Sequence, residues 1–196
     1  MRPWLSPNAI TAARLPLAPL AVVAMTWGTT AGLVVAAVLS LVLELTDLAD
    51  GVVARRYRMV SKFGSLFDPF SDAFCRFTLF LGLYAIGVAD LWMILLIFYR
   101  DSSVSFFRSV AAFHNVVLSA RPSGKIKAIV QGVGTQIVFI ALVGSAVFPG
   151  AVWLAKVPWW TMVAMTAVTV WSFADYFRGN LPILRAAWDD TPDAPP

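Results

Sequence analysis

A bundle of six membrane-spanning α-helices, all-α and polytopic, is the fold class this sequence predicts, and three observations predict it. Of 196 residues, 59% are hydrophobic and only 13% charged, with a mean hydropathy of +0.76, which lies outside the usual composition of a soluble domain. Apolar tracts near the ~20 residues a helix needs to cross a bilayer recur along the chain, favouring helices over a barrel. Short segments rich in Gly, Pro or basic residues separate these tracts.

Hydropathy with Gly and Pro as punctuation places the spans near 8–26, 31–56, 64–87, 90–116, 124–148 and 151–177. The first, with Arg2 ahead of "LPLAPLAVVAM", imitates a secretory signal. Arg14 interrupts the approach, two prolines break the run and no small-x-small cleavage site follows, so it is read as a retained spanning helix. The second and third spans carry aspartates at their joined ends, the fourth carries Arg100 and Arg108, and the fifth begins in "SGKIK". Trp92, Trp153, Trp159 and Trp160 fall near span ends, where an amphipathic ring suits the water–lipid boundary. Residues 1–186 are expected to form a single domain, and the polar, Pro-rich 187–196 a disordered tail.

The connections around 27–30, 88–89 and 149–150 carry no Lys or Arg, and Lys156 is the lone cation near them. Arg2, Arg14, Arg55, Arg56, Arg58, Lys62, Arg121, Lys125, Lys127, Arg178 and Arg185 lie at the opposite ends. The positive-inside rule therefore puts both termini, and the aspartate segment, in the cytoplasm. A net charge of +4 spread along membrane edges, with no continuous basic stripe, argues against nucleic acid and for membrane lipids or phosphorylated substrates as partners. One cysteine, Cys75, and one histidine, His114, form neither an internal disulfide nor a His-based metal cluster, and both are read as packing residues.

Between the second and third spans the sequence reads "TDLADGVVARRYRMVSKFGSLFDPFSD". Asp47 and Asp50 are three apart at one helix end and Asp68 and Asp72 four apart at the next, so each pair shares a face. With a short link, the two helices are expected to be antiparallel neighbours with the pairs facing. Four carboxylates at close range repel strongly unless cations compensate, and divalent metal is the natural resolution. Oxygen-only ligands suit Mg²⁺, Mn²⁺ or Ca²⁺ rather than zinc, and two ions can share four carboxylates. One or two aspartates would be tolerated as caps paired with Arg55, Arg56 or Lys62; four in matched pairs call for a function. Gly51 and Ala54 leave open space beside them, and the planar fork of Arg55 suits a phosphate.

The order D-x-x-D-G-x-x-A-R, eight residues, then G-x-x-x-D-x-x-x-D, formed by Asp47, Asp50, Gly51, Ala54, Arg55, Gly64, Asp68 and Asp72, resembles the signature of the CDP-alcohol phosphotransferase family at every one of its positions. The resemblance implies a six-helix membrane enzyme that binds a CDP-linked lipid, usually CDP-diacylglycerol, with its pyrophosphate on two divalent ions, Mg²⁺ or Mn²⁺. It further implies that Asp47, Asp50, Asp68 and Asp72 ligate the metals. Asp72 doubles as base for the acceptor hydroxyl, while Asn8, Gly51, Ala54, Arg55, Ser61 and Gly64 accommodate the CDP-lipid. A homodimer in the cell membrane is implied as well.

The second half of the chain bears on the acceptor alcohol. Arg100 and Arg108 are eight apart, rotated by ~80°, and so lie on broadly similar faces of one helix; Lys125 and Lys127 open the next. Four cations at the cytoplasmic boundary suggest an anionic acceptor. "NAIT-x-x-R", then "R-x7-R", then "GKIKA-x-x-Q" resembles the phosphatidylglycerophosphate synthase branch, in which matching basic residues hold the phosphate of glycerol 3-phosphate. Asp101 and Ala128 depart from that branch, which often has Glu and Thr there, so inositol phosphate, serine and phosphatidylglycerol stay open as acceptors. Glu44 is read as a polar neighbour of the aspartates, Arg76 as a partner of Asp72 or of lipid phosphate, and Asp175 as paired with Arg178. A cation transporter would spread carboxylates over several helices near the midplane, and here they cluster at one edge.

Overall fold

The computed structural model describes residues 7–57, 62–113 and 121–189. Its regular elements there are all helical: α1 (Pro7–Arg14), α2 (Leu17–Met25), α3 (Thr30–Tyr57), α4 (Lys62–Ala85), α5 (Leu91–Phe113), α6 (Pro122–Val147) and α7 (Val157–Asp189), with one 3₁₀ turn at Leu154–Lys156. Windows of α3, α6 and α7 (with the 3₁₀ turn) are long and apolar enough to cross a membrane. The 24 and 23 residues of α4 and α5 also reach spanning length, but these helices carry charged residues of the site.

The first expected span is two helices rather than one. Pro16 has no N–H and disfavours helical backbone at Leu15, so the Leu15 amide falls back on the Ala12 carbonyl, at 3.2 Å. Side chains of α4 serve the carbonyls at the break: Ser71 Oγ donates to Thr11 (3.3 Å) and the Cys75 thiol to Arg14 (3.6 Å). The last helix differs in the other direction, running to Asp189, past Pro182 and into the segment read as tail. Polar residues from Arg178 onward end a hydropathy window without ending a helix, and Asn180 Nδ2 donates to the Tyr176 carbonyl (2.9 Å) along that stretch.

The helices close into a ring in the order α2, α3, α6, α7, α5, α4. This corrects the expected adjacency of the second and third spans: α3 and α4 barely touch, and α1 and α2 are packed between them. Small residues make the wedge possible. Ala18, Ala21 and Ala24 are buried on α2, and a Cβ at Gly82 of α4 would stand 2.8 Å from Val22 Cγ2 and 2.9 Å from Met25 Sδ. Polar side chains tie α6 to its neighbours, Gln136 to Ser40 of α3 (3.1 Å) and Gln131 to Thr169 of α7 (2.8 Å). At the end away from the aspartates, Asp90 accepts the indole N–H groups of Trp92 (3.3 Å) and Trp159 (2.9 Å), joining two of the boundary tryptophans.

Candidate active site

Two regions of opposite charge face each other at the Arg14 end of the ring. In the first, Asp47 of α3 and Asp72 of α4 meet on Arg14, the last residue of α1. Arg14 Nη1 donates to Asp47 Oδ1 at 2.7 Å, and Nη2 stands 3.8 Å from Asp72 Oδ1. Asp72 also accepts from Arg76 Nη2 one turn on (2.8 Å), the protein partner expected from the four-residue spacing. Both arginines are almost fully buried, at 3% and 8% exposure, so each needs a counter-charge where it lies. Glu44 points from α3 against Gly132 of α6, whose missing side chain makes room for the carboxylate. Gly64 is buried in the first turn of α4.

Asn8, Asp50, Gly51, Ala54, Arg55 and Asp68 lie within helices, but their side chains fall outside the described residues, as does Ser61 altogether. Among the described residues no three Asp, Glu, His or Cys side chains are grouped to hold a metal ion. The donor set nonetheless fits a hard cation: two carboxylates from different helices approach one positive charge, and all the predicted ligand atoms are oxygens.

The second region is a cavity of about 310 Å³ between α4, α5, α6 and α7. Arg100, Arg108, Lys125 and Lys127 all line it, as does Asp72. Their pairing separates them. Lys127, 7% exposed, donates to both oxygens of Asp101 at 2.8 Å, and Arg100 Nη1 donates to Asp101 Oδ1 at 2.8 Å and Nη2 to Ser172 Oγ at 3.0 Å. Arg108 and Lys125 are exposed and have no hydrogen-bond or ion-pair partner among the described residues. An apolar groove of about 630 Å³ between α4 and α5 adjoins the cavity, sharing Asp101 and Arg108 and continuing along Phe70, Phe74, Phe77 and Phe98.

Several of these groups are not legible from spacing alone. Arg14 reads in sequence as a cytoplasmic cation and as the last residue of "NAIT-x-x-R", and only the wedge of α1 between α3 and α4 makes it a bridge. Asp101 is visible only as a departure beside Arg100. Asp175 pairs with Arg121 Nε (2.8 Å) and Ser123 Oγ (2.5 Å) at the start of α6 rather than with Arg178, because α6 packs on α7 there.

Carboxylates gathered on α3 and α4, opening onto a cation-lined cavity within a membrane bundle, define an enzyme that handles phosphorylated groups at a bilayer edge. The profile described as CDP-alcohol phosphatidyltransferase matches residues 4–171, and the chain belongs to that family. Among its relatives is the CDP-diacylglycerol–glycerol-3-phosphate 3-phosphatidyltransferase of Bacillus subtilis (strain 168), 28% identical over 92% of this chain and 97% of the relative. Proteins of the same name are 30% identical in Treponema pallidum (strain Nichols), over 75% of this chain and 70% of the relative, and 26% identical in Rickettsia felis, over 85% and 92%.

Proposed function

We propose that this protein transfers the phosphatidyl group of CDP-diacylglycerol to sn-glycerol 3-phosphate, releasing CMP and forming phosphatidylglycerol phosphate. The observation that carries the reading is the cationic cavity with Asp72 on its wall: a phosphorylated acceptor held by Arg108 and Lys125 brings its hydroxyl toward a carboxylate. The relatives' shared name points to the same acceptor.

Asp47, Asp50, Asp68 and Asp72 are proposed to hold divalent ions, two Mg²⁺ or Mn²⁺ per site. Such ions, when bound, supply positive charge that holds the pyrophosphate and offsets charge developing in transfer. The chain's own residues do the rest. Asp72 takes the proton of the acceptor hydroxyl, whose oxygen forms a bond to the phosphorus bearing the diacylglycerol as the bond from that phosphorus to the CMP oxygen breaks. Arg76 fixes the Asp72 carboxylate by a hydrogen bond to Oδ1, and Arg14 stands 3.8 Å from the same oxygen. Asn8, Gly51, Ala54, Arg55, Ser61 and Gly64 are proposed to accommodate the CDP-lipid, and the groove along Phe70 and Phe74 offers apolar surface to a lipid. The protein sits in the cell membrane as a homodimer with its site and termini toward the cytoplasm.

The test is CMP release by purified protein given CDP-diacylglycerol, Mg²⁺ and one acceptor at a time. Glycerol 3-phosphate is expected to support it; release with serine or inositol phosphate alone would overturn the acceptor and keep the chemistry. For orientation, Ser61→Cys in a chain with Cys75 replaced should react with thiol reagents only from the cytoplasmic side, and labelling from outside sealed cells would invert the topology.

A further inference from the structure

Most polar groups around the cationic cavity are engaged within the protein. Asp101 is taken up by Lys127 and Arg100, and Asp72 by Arg76. The hydroxyl of Tyr176 is not. This residue of α7 lines the cavity, is only 3% exposed, and its hydroxyl is buried without a hydrogen-bond partner among the described residues; the Nε of Arg100, which also lines the cavity, is likewise unpaired among them. The neighbouring turn does not use the phenol either, since Asn180 bonds to the Tyr176 backbone carbonyl. A buried phenol without a partner loses its water and gains nothing, whereas phenylalanine would fill the same space at no such cost. A donor kept at that expense beside Arg108 and Lys125 suits an anionic, oxygen-rich ligand.

We propose that the Tyr176 hydroxyl is a further acceptor-binding group, donating a hydrogen bond to an oxygen of the acceptor's phosphate monoester alongside Arg108 and Lys125. The proposal rests on the reading of this cavity as the acceptor site.

The experiment compares full-length wild type with Tyr176→Phe, using glycerol 3-phosphate and CDP-diacylglycerol as probes. The variant is expected to raise KM for glycerol 3-phosphate about tenfold or more, the scale of a hydrogen bond to a charged group. Its kcat and its KM for CDP-diacylglycerol should stay within about twofold of wild type, and its melting temperature should be unchanged or higher, because the substitution removes an unpaired polar atom. An unchanged KM in the presence of an active wild type overturns the proposal alone. So does a lower melting temperature, which marks a structural hydroxyl, or a rise confined to CDP-diacylglycerol. A wild type that ignores glycerol 3-phosphate overturns the acceptor reading first, and the proposal with it.

Discussion

The aspartate end and the cationic cavity solve the same electrostatic problem with opposite sign, and they solve it differently. At the aspartate end the carboxylates come from two helices that hardly touch, and buried arginines of α1 and α4 neutralise them. In the cavity, Arg100 of α5 and Lys127 of α6 converge on Asp101, while Arg108 and Lys125 have no partner among the described residues. The difference teaches which charges are structural. A buried ion pair costs desolvation on both sides and keeps its place through its partner, whereas an exposed cation without a partner is free to meet a ligand.

The largest expected effect tests the aspartate end. Asp68→Asn should reduce transfer to background, and chelation with EDTA should do so reversibly on restoring Mg²⁺; full activity in EDTA would remove the metal from the comparison altogether. The next tests whether Asp101 is the cavity's internal counter-charge. Asp101→Ala leaves Arg100 and Lys127 buried without an anion, a loss of roughly 3 kcal/mol in stability, while Asp101→Glu should recover most of the melting temperature. Equal melting of wild type and Asp101→Ala in detergent would show that the two cations need no partner. The smallest separates the open cations from the nucleotide side. Arg108→Ala should raise KM for glycerol 3-phosphate roughly tenfold to hundredfold, with that for CDP-diacylglycerol within a few-fold, and Arg55→Ala should show the reverse. Parallel changes in both constants for either variant would erase the division between the two regions.

The two ends also differ in how far they could be read from the chain. Asp47 with Asp50, and Asp68 with Asp72, announce themselves because residues three or four apart must share a helix face, whatever the helix packs on. Arg100 and Arg108 were legible as a pair by the same periodicity, and both line the cavity, as do Lys125 and Lys127. Their division into held and open was not legible, since Asp101 reaches Lys127 across 26 positions of sequence. The expected adjacency of α3 and α4 failed for a related reason: a short link limits how far apart two helix ends lie, but it does not prevent α1 and α2 from packing between the helices.

By itself, then, the sequence determined the helical class, the approximate spans, the pairing of aspartates along each of two helix faces and the excess of cations at the same end of the bundle, all of which follow from composition and from the 3.6-residue repeat. Tertiary structure decided the insertion of α1 that makes Arg14 a bridge, the capture of two cations by Asp101 and the burial of the Tyr176 hydroxyl. Each depends on which helices touch. That choice is made by the shapes of small and large side chains over the whole bundle, as where Gly82 lets Met25 approach α4, and it leaves no local mark in the spacing of residues.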